Sequence, residues 1–412
     1  MNLRNLIDKR NEYADYIIRE ITYIIKNFGK RDPGAQGETD AANFFSDYLK
    51  NECGCEEVFT EEFEIHPGSF FGWIYITVTC AFIAMITSFF APAIGAVAGV
   101  IGLLVAVIQF GFYTKIVDWM FKKKISRNVT AIKHCTGEVK RRIFFNGHMD
   151  ACWEWPVNYH CGGAVCEAHM ASSLLGLVFY TVLCIIAAAK HFVFAEATAH
   201  DPLKICILCG LIFIPLWILM YFMWNERRVV DGANDNLTGC YMGVAILKAM
   251  HDEGISFENT EVGVILNGAE EAGIRGSYAW CKAHKGEYED VPTFIYSYDT
   301  IHDPKYLMAN YRDLNGTVKS DKDATDLFYE SAQEIGVQCV KGWVPPFGGA
   351  TDNAAYNKAG FRSAGITGLN HKLENYYHTR RDTYDNLNAK GIADCFAASV
   401  KVLENFDNGA KQ

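Results

Sequence analysis

The 412-residue chain lacks an excess of positive charge: 38 Lys and Arg stand against 48 Asp and Glu, for a formal net charge of −10. That balance argues against a nucleic-acid partner, whose phosphates are met by basic surfaces. A spaced cysteine framework is also missing. The 14 cysteines are scattered, Cys53-Gly-Cys55 is one residue short of a zinc knuckle, and Cys184, Cys206 and Cys209 fall inside apolar runs. They read as structural thiols in a reducing compartment. No internal repeat or low-complexity tract is present, and an apolar content of 50% excludes disorder. Nor is there a cleavable signal ahead of the apolar runs, because Met1 to Gly34 is charged and amphipathic and reads as a soluble helix.

Long apolar runs, by contrast, are plentiful. Mean hydropathy is near zero although 21% of the residues are charged, so the apolar residues must be concentrated. Phe70 to Pro92, Ala93 to Tyr113, Ser172 to Ala189 and Leu203 to Trp224 are nearly free of charge, and each approaches the roughly 20 residues that cross a bilayer. The first two turn tightly at Pro92, and the second carries Gly95-x-x-x-Gly99, a spacing that lets helices approach closely. Lys115, Lys122, Lys123, Lys124 and Arg127 follow the second run, and Arg227 and Arg228 follow the fourth. The opposite side offers only the Pro92 turn and the Lys190 to Lys204 segment. The positive-inside rule therefore predicts a multi-pass protein of the cell membrane, in contact with the lipid bilayer, whose polar part is cytoplasmic.

Setting aside two apolar hairpins, 67–125 and 152–227, leaves 1–66, 126–151 and 228–412 as pieces of one polar domain. The middle piece, "NVTAIKHCTGEVKRRIFFNGHMD", has two short apolar runs around Thr136-Gly137 and reads as a β-hairpin. In the last piece strand-like and helix-like segments alternate from "EVGVILNG" to a final helix near Asn388. The expected fold is α/β, a mostly parallel mixed sheet flanked by helices, with four inserted transmembrane helices.

Polar residues gather where the strand-like runs end: His148 and Asp150, Asp235, the adjacent pair Glu270 and Glu271, Asp299 and His378. Imidazoles and carboxylates at one end of successive strands form a donor set suited to zinc. In His148-x-Asp150 the carboxylate can take the second ring N–H and orient the imidazole.

In this order "GHMD", "DGANDNLTG", "NGAEEAGIRGS", "YSYDT" and "YYHTRRDTYDNL" resemble the co-catalytic di-zinc exopeptidases, the family of bacterial leucyl aminopeptidase, aminopeptidase Y and glutamate carboxypeptidase. The resemblance implies two zinc ions, one on His148 and Glu271, a second on Asp299 and His378, with Asp235 bridging them. It implies that Glu270 is the general base, taking a proton from a bridging water and delivering it to the leaving amine, and that Asp150 supports the catalytic group. Tyr377 looks like the residue that polarises the scissile carbonyl in some relatives. Where many relatives show Ser-Asp-His, this chain has Thr351-Asp352-Asn353.

The expected function is a membrane-embedded zinc exopeptidase, of aminopeptidase type by the family majority, hydrolysing short apolar or membrane-associated peptides. The second insertion leaves just after Asp150 and returns at Asp231, so substrates delivered by the bilayer are favoured. A glutaminyl-cyclase-like single-zinc enzyme and a catalytically silent membrane assembly subunit are the alternatives.

Overall fold

The computed structural model describes residues 3–346, 348–370 and 372–411. The chain divides into two compact units, one made of Met1–Pro67, Lys123–Trp153 and Arg228–Gln412, the other of Gly68–Lys122 and Glu154–Arg227.

The first unit is built on a nine-stranded mixed sheet. Its strands are β1 (Glu57–Ile65), β2 (Lys124–Lys133) and β3 (Arg141–His148). After β4 (Trp153–Glu154) and β5 (Asn225–Val229), which pair separately, come β6 (Thr260–Asn267), β7 (Thr293–Ile301), β8 (Met308–Asp313), β9 (Val318–Lys319), β10 (Val340–Trp343) and β11 (Arg362–Gly368). The spatial order is β1-β2-β6-β3-β7-β11-β8-β10, with β9 on β8. The four central strands β6, β3, β7 and β11 run parallel. Helices cover them on both faces, so β6 is buried at every position and its middle, Val262 to Leu266, reads as an apolar run. One face packs Phe145, Val264 and Tyr296 into the main core; the other packs Phe144, Ile265 and Ile295 around Trp280 and Tyr356. Gly147 is one place where only hydrogen fits, because a Cβ there would strike the backbone of Gly239 and Cys240 in the helix Thr238–Asp252. Strand β3 and that helix can therefore lie close enough to bring His148 to Asp235.

The β2–β3 hairpin expected from the sequence does not form. Both strands pair with β6 instead, β2 antiparallel and β3 parallel to it. The turn that was to close the hairpin gives its N–H groups elsewhere: Thr136 and Gly137 donate to the carbonyls of Phe257 and Glu258, and Lys140 and Arg141 to that of Asn259. The segment leading into β6 thus wedges the two strands apart.

The second unit contains four helical stretches long and apolar enough to cross a membrane by length and composition: Ser69–Thr87, Pro92–Gly111, Gly163–Ala189 and Pro202–Met220. Gly99 faces Thr181 and Gly95 faces Thr87 and Cys184, so the small-residue spacing marks where the second stretch meets the first and third.

Candidate metal centre

Strand pairing sets the site. Asn146 of β3 pairs with Ser297 of β7, so His148 and Asp299, each two residues further on, leave the sheet on the same face. β6 flanks β3 on the other side, pairing Asn267 with His148, and its trailing loop carries Glu270 and Glu271. Asp235 comes from the turn before helix Thr238–Asp252, and His378 from the loop after β11. The donors lie beyond the carboxyl ends of parallel strands, where open α/β sheets bind ligands.

Asp235 stands at the centre. Its Oδ1 is 3.3 Å from His148 Nε2 and its Oδ2 is 3.1 Å from His378 Nε2, which is also 3.2 Å from Glu271 Oε1. Two donor groups result: His148, Asp235 and Asp299 in one, Cys152, Glu271 and His378 in the other, with the ligand atoms of each group within 4.8 Å of one another. This partition corrects the one implied by the resemblance, which put Glu271 with His148 and Asp299 with His378. The reason is the sheet order: β3 and β7 are neighbours, so His148 and Asp299 emerge side by side.

Burial is the largest influence on the electrostatics here. Burial pushes the Glu270, Glu271 and Asp299 carboxyls up, and neighbouring carboxylates push them further. Burial would raise Asp235 too, but the facing imidazoles of His148 and His378 hold it below the usual carboxylate range. The imidazoles are drawn up against the effect of burial, His148 chiefly by Asp150 and Asp235, His378 by Cys152, Glu271 and Asp235. His148 Nε2 and Glu271 Oε1 are shut off from solvent and make no hydrogen bond. Desolvated carboxylates in this number, with a buried imidazole nitrogen and a buried carboxylate oxygen left unsatisfied, one in each donor group, fit divalent cations. Zinc is the metal that nitrogen, oxygen and sulfur donors together favour.

Glu270 is the member left over: its Oε2 lies 3.8 Å from His148 Nε2, outside both donor groups. Asp150 holds it in place. Asp150 Oδ1 accepts from the Glu270 N–H at 3.0 Å and Oδ2 from the Glu271 N–H at 2.9 Å, while Oδ1 is also 3.3 Å from His148 Nδ1. Besides orienting the imidazole as the spacing suggested, this carboxylate therefore fixes the glutamate pair. Tyr377 stacks on the His378 ring at 3.9 Å, and burial together with Asp235, Glu271 and Asp299 pushes its phenol up. Asp352 is buried, its carboxyl raised to about 6 by burial. Ala269, Thr300 and His378 all have φ near +52°, a conformation L-residues seldom hold and one that gathers at functional sites.

Four residues that sequence reasoning passed over complete the centre. Glu38 accepts from the Ala269 and Gly34 N–H groups and from Ser126, clamping the loop just before Glu270. Arg31 donates to the carbonyls of Met149, Asp231 and Gly232, tying the end of β3 to the turn that carries Asp235. Asp382 accepts from the N–H groups of Asn234 and Asp235. Cys152 is the fourth. "HTRRDTYDN" at least pointed to Asp382; nothing local marks the others.

Residues 222–403 match the family model described as Peptidase family M28. The resemblance to the co-catalytic zinc exopeptidases holds. The M28 match puts the chain among metal-dependent peptidases, although a search of curated proteins finds no match. Among solved structures, the Legionella pneumophila LapA aminopeptidase superposes with a TM-score of 0.55 at 11% identity, covering 100% of this chain and 77% of that one. BSAP, a zinc aminopeptidase from Bacillus subtilis, gives 0.55 at 12% identity and covers 94% of each chain. The glutaminyl cyclase of Bacteroides thetaiotaomicron gives 0.52 at 12% identity and covers 97% of each chain. At these identities the likeness is one of fold, and it covers the sheet as a whole.

Proposed function

We propose that this M28-like chain is a membrane-anchored zinc aminopeptidase that trims short apolar or membrane-associated peptides from the cytoplasmic side. The observation that carries the reading is Asp235, shared at 3.3 and 3.1 Å between two imidazoles that belong to separate buried donor groups, with Glu270 beside them. His148, Asp235 and Asp299 would hold one zinc, and Asp235, Glu271 and His378 the other. Bound zinc supplies Lewis acidity and makes water acidic enough to ionise near neutral pH. Glu270 accepts the proton of the attacking water at its carboxylate and returns it to the leaving amine. Tyr377 donates its hydroxyl to the scissile carbonyl oxygen, and Asp150 keeps the Glu270 backbone from drifting.

The test is direct. Glu270→Gln is expected to retain zinc and lose hydrolysis by about 10²–10⁴-fold. Zinc analysis of the purified full chain, beside rates on free-amine and N-blocked peptides, checks it; full activity in the variant, or no zinc under replete conditions, ends the reading. Cyclisation of N-terminal glutamine with one zinc per chain would favour the cyclase alternative, whose fold is shared.

Support for the membrane comes from the four apolar stretches and from large apolar side chains that face outward along them, among them Val97, Leu175 and Ile212 at 61%, 61% and 71% exposure. Orientation rests on the Lys and Arg that flank the second and fourth stretches. A cysteine introduced beside Lys123 is expected to resist an impermeant thiol reagent in intact cells and to react after permeabilisation. Labelling from outside would reverse the orientation.

A further inference from the structure

We infer that Cys152 is a thiolate ligand of the zinc held by Glu271 and His378; this rests on the zinc reading above and deepens it. Cys152 lies two residues past Asp150, is 1% exposed, and is anchored by its own carbonyl, which accepts the Val230 N–H at 3.0 Å. Its Sγ, a carboxylate oxygen of Glu271 and a ring nitrogen of His378 lie within 4.8 Å of one another, all buried.

A buried cysteine is most often a small apolar side chain in a core. Three other buried thiols behave that way: Cys53, Cys184 and Cys240 each turn the sulfur to a backbone carbonyl, of Val244, Ala84 and His148 respectively. Cys152 instead sits against two ionisable side chains from two different loops. Among the described residues no other cysteine belongs to a group of potential metal donors. Independently of the thiol, Glu271 Oε1 points into the same place, buried and without a hydrogen bond.

The two donor groups are thus chemically unequal. The His148 group offers nitrogen and oxygen only, whereas the His378 group adds a soft sulfur donor. Zinc accepts all three donor types, with Cys bound as the thiolate. Coordination deprotonates the thiol outright and releases one proton to solvent. Thiolate also disfavours magnesium and manganese, which prefer oxygen. The sulfur-bearing site is expected to be the tighter and more zinc-selective of the two, and the His148 site the more exchangeable.

The test uses the purified full-length protein. Zinc X-ray absorption is expected to show a sulfur neighbour at about 2.3 Å, and cobalt(II) substitution a near-ultraviolet thiolate-to-cobalt charge-transfer band. Both should vanish in Cys152→Ala and Cys152→Ser, with one metal then lost at least tenfold more easily to a chelator. In the wild-type protein, alkylation of Cys152, followed by peptide mass spectrometry, should be at least tenfold slower when zinc is bound; this decides the assignment even if neither variant folds. Metal-loaded wild type with no sulfur signal, a signal that persists without Cys152, or equal alkylation with and without zinc overturns the proposal and leaves the zinc reading intact. A protein that takes up no metal overturns both.

Discussion

Asp150 shows how much of the site is held by residues that need not touch a substrate. Both of its oxygens receive backbone N–H groups, from Glu270 and Glu271, so Asp150→Asn must turn an amide N–H against one of them. Such changes behind a metal site cost roughly 10–100-fold in metal affinity or rate, and a buried unsatisfied donor costs about 1–3 kcal/mol of stability. Zinc competition against a chelator and kcat on a free-amine peptide check this; wild-type values for both would show that the loop holds itself. At this scale the sequence was informative wherever chemistry sits in short motifs. His148, Asp235, Glu270, Glu271, Asp299 and His378 each lie in one and all converge. Arg31, Glu38 and Cys152 were illegible because what they do depends on which distant loop meets them, and a lone Arg, Glu or Cys carries no mark of that.

At the level of elements, apolar runs alternating with helix-like segments marked β6, β7 and β11 as strands of a mostly parallel sheet, and they are buried almost throughout. Pairing was harder to read. A short turn between two apolar runs looks like a hairpin, yet β6 enters between β2 and β3 because its apolar middle, Val262 to Leu266, belongs inside the sheet. Strands β8 and β10 towards one end of the sheet, short and partly polar, left no clear pattern. One inter-element contact is pH-sensitive. His284, just after helix Arg275–Ala283, lies 2.9 Å from Glu61 of β1 and 2.6 Å from Glu287. Burial lowers its pKa, but the two carboxylates outweigh burial and raise it. A raised folded pKa means the contribution is complete below the ordinary histidine value of about 6.5 and is lost as pH rises through the folded value. Melting temperatures should therefore separate wild type from His284→Gln at pH 6, by at most about 1 kcal/mol, and converge at pH 9. A gap that stays constant with pH would remove the charge from the explanation.

For the molecule as a whole, the two excursions from the sheet unit return almost to where they left. Ile65 pairs with Lys124 across the first, and Cys152 accepts the Val230 N–H across the second. Short flexible links can bridge such gaps, and closing a shorter loop costs less entropy. The sheet unit has its own continuous core. Replacing residues 68–122 and 154–227 by brief Gly/Ser links is therefore expected to leave a folded, zinc-binding domain. Circular dichroism, a cooperative melt and zinc content would verify it; a non-cooperative melt would show that the sheet unit depends on the helical one.

The place of β6 between two strands made long before it also sets a timetable. A ribosome that has reached Gly254 has already delivered β2 and β3, but neither yet has the neighbour that separates and pairs them. Their open edges are templates for pairing with other chains, so nascent or truncated forms ending there should need chaperone cover. The last donor to emerge is His378, after β11. The centre cannot close until nearly the whole chain has left the ribosome, and a peptidase assembled in that order has no working site while its own backbone is still being made.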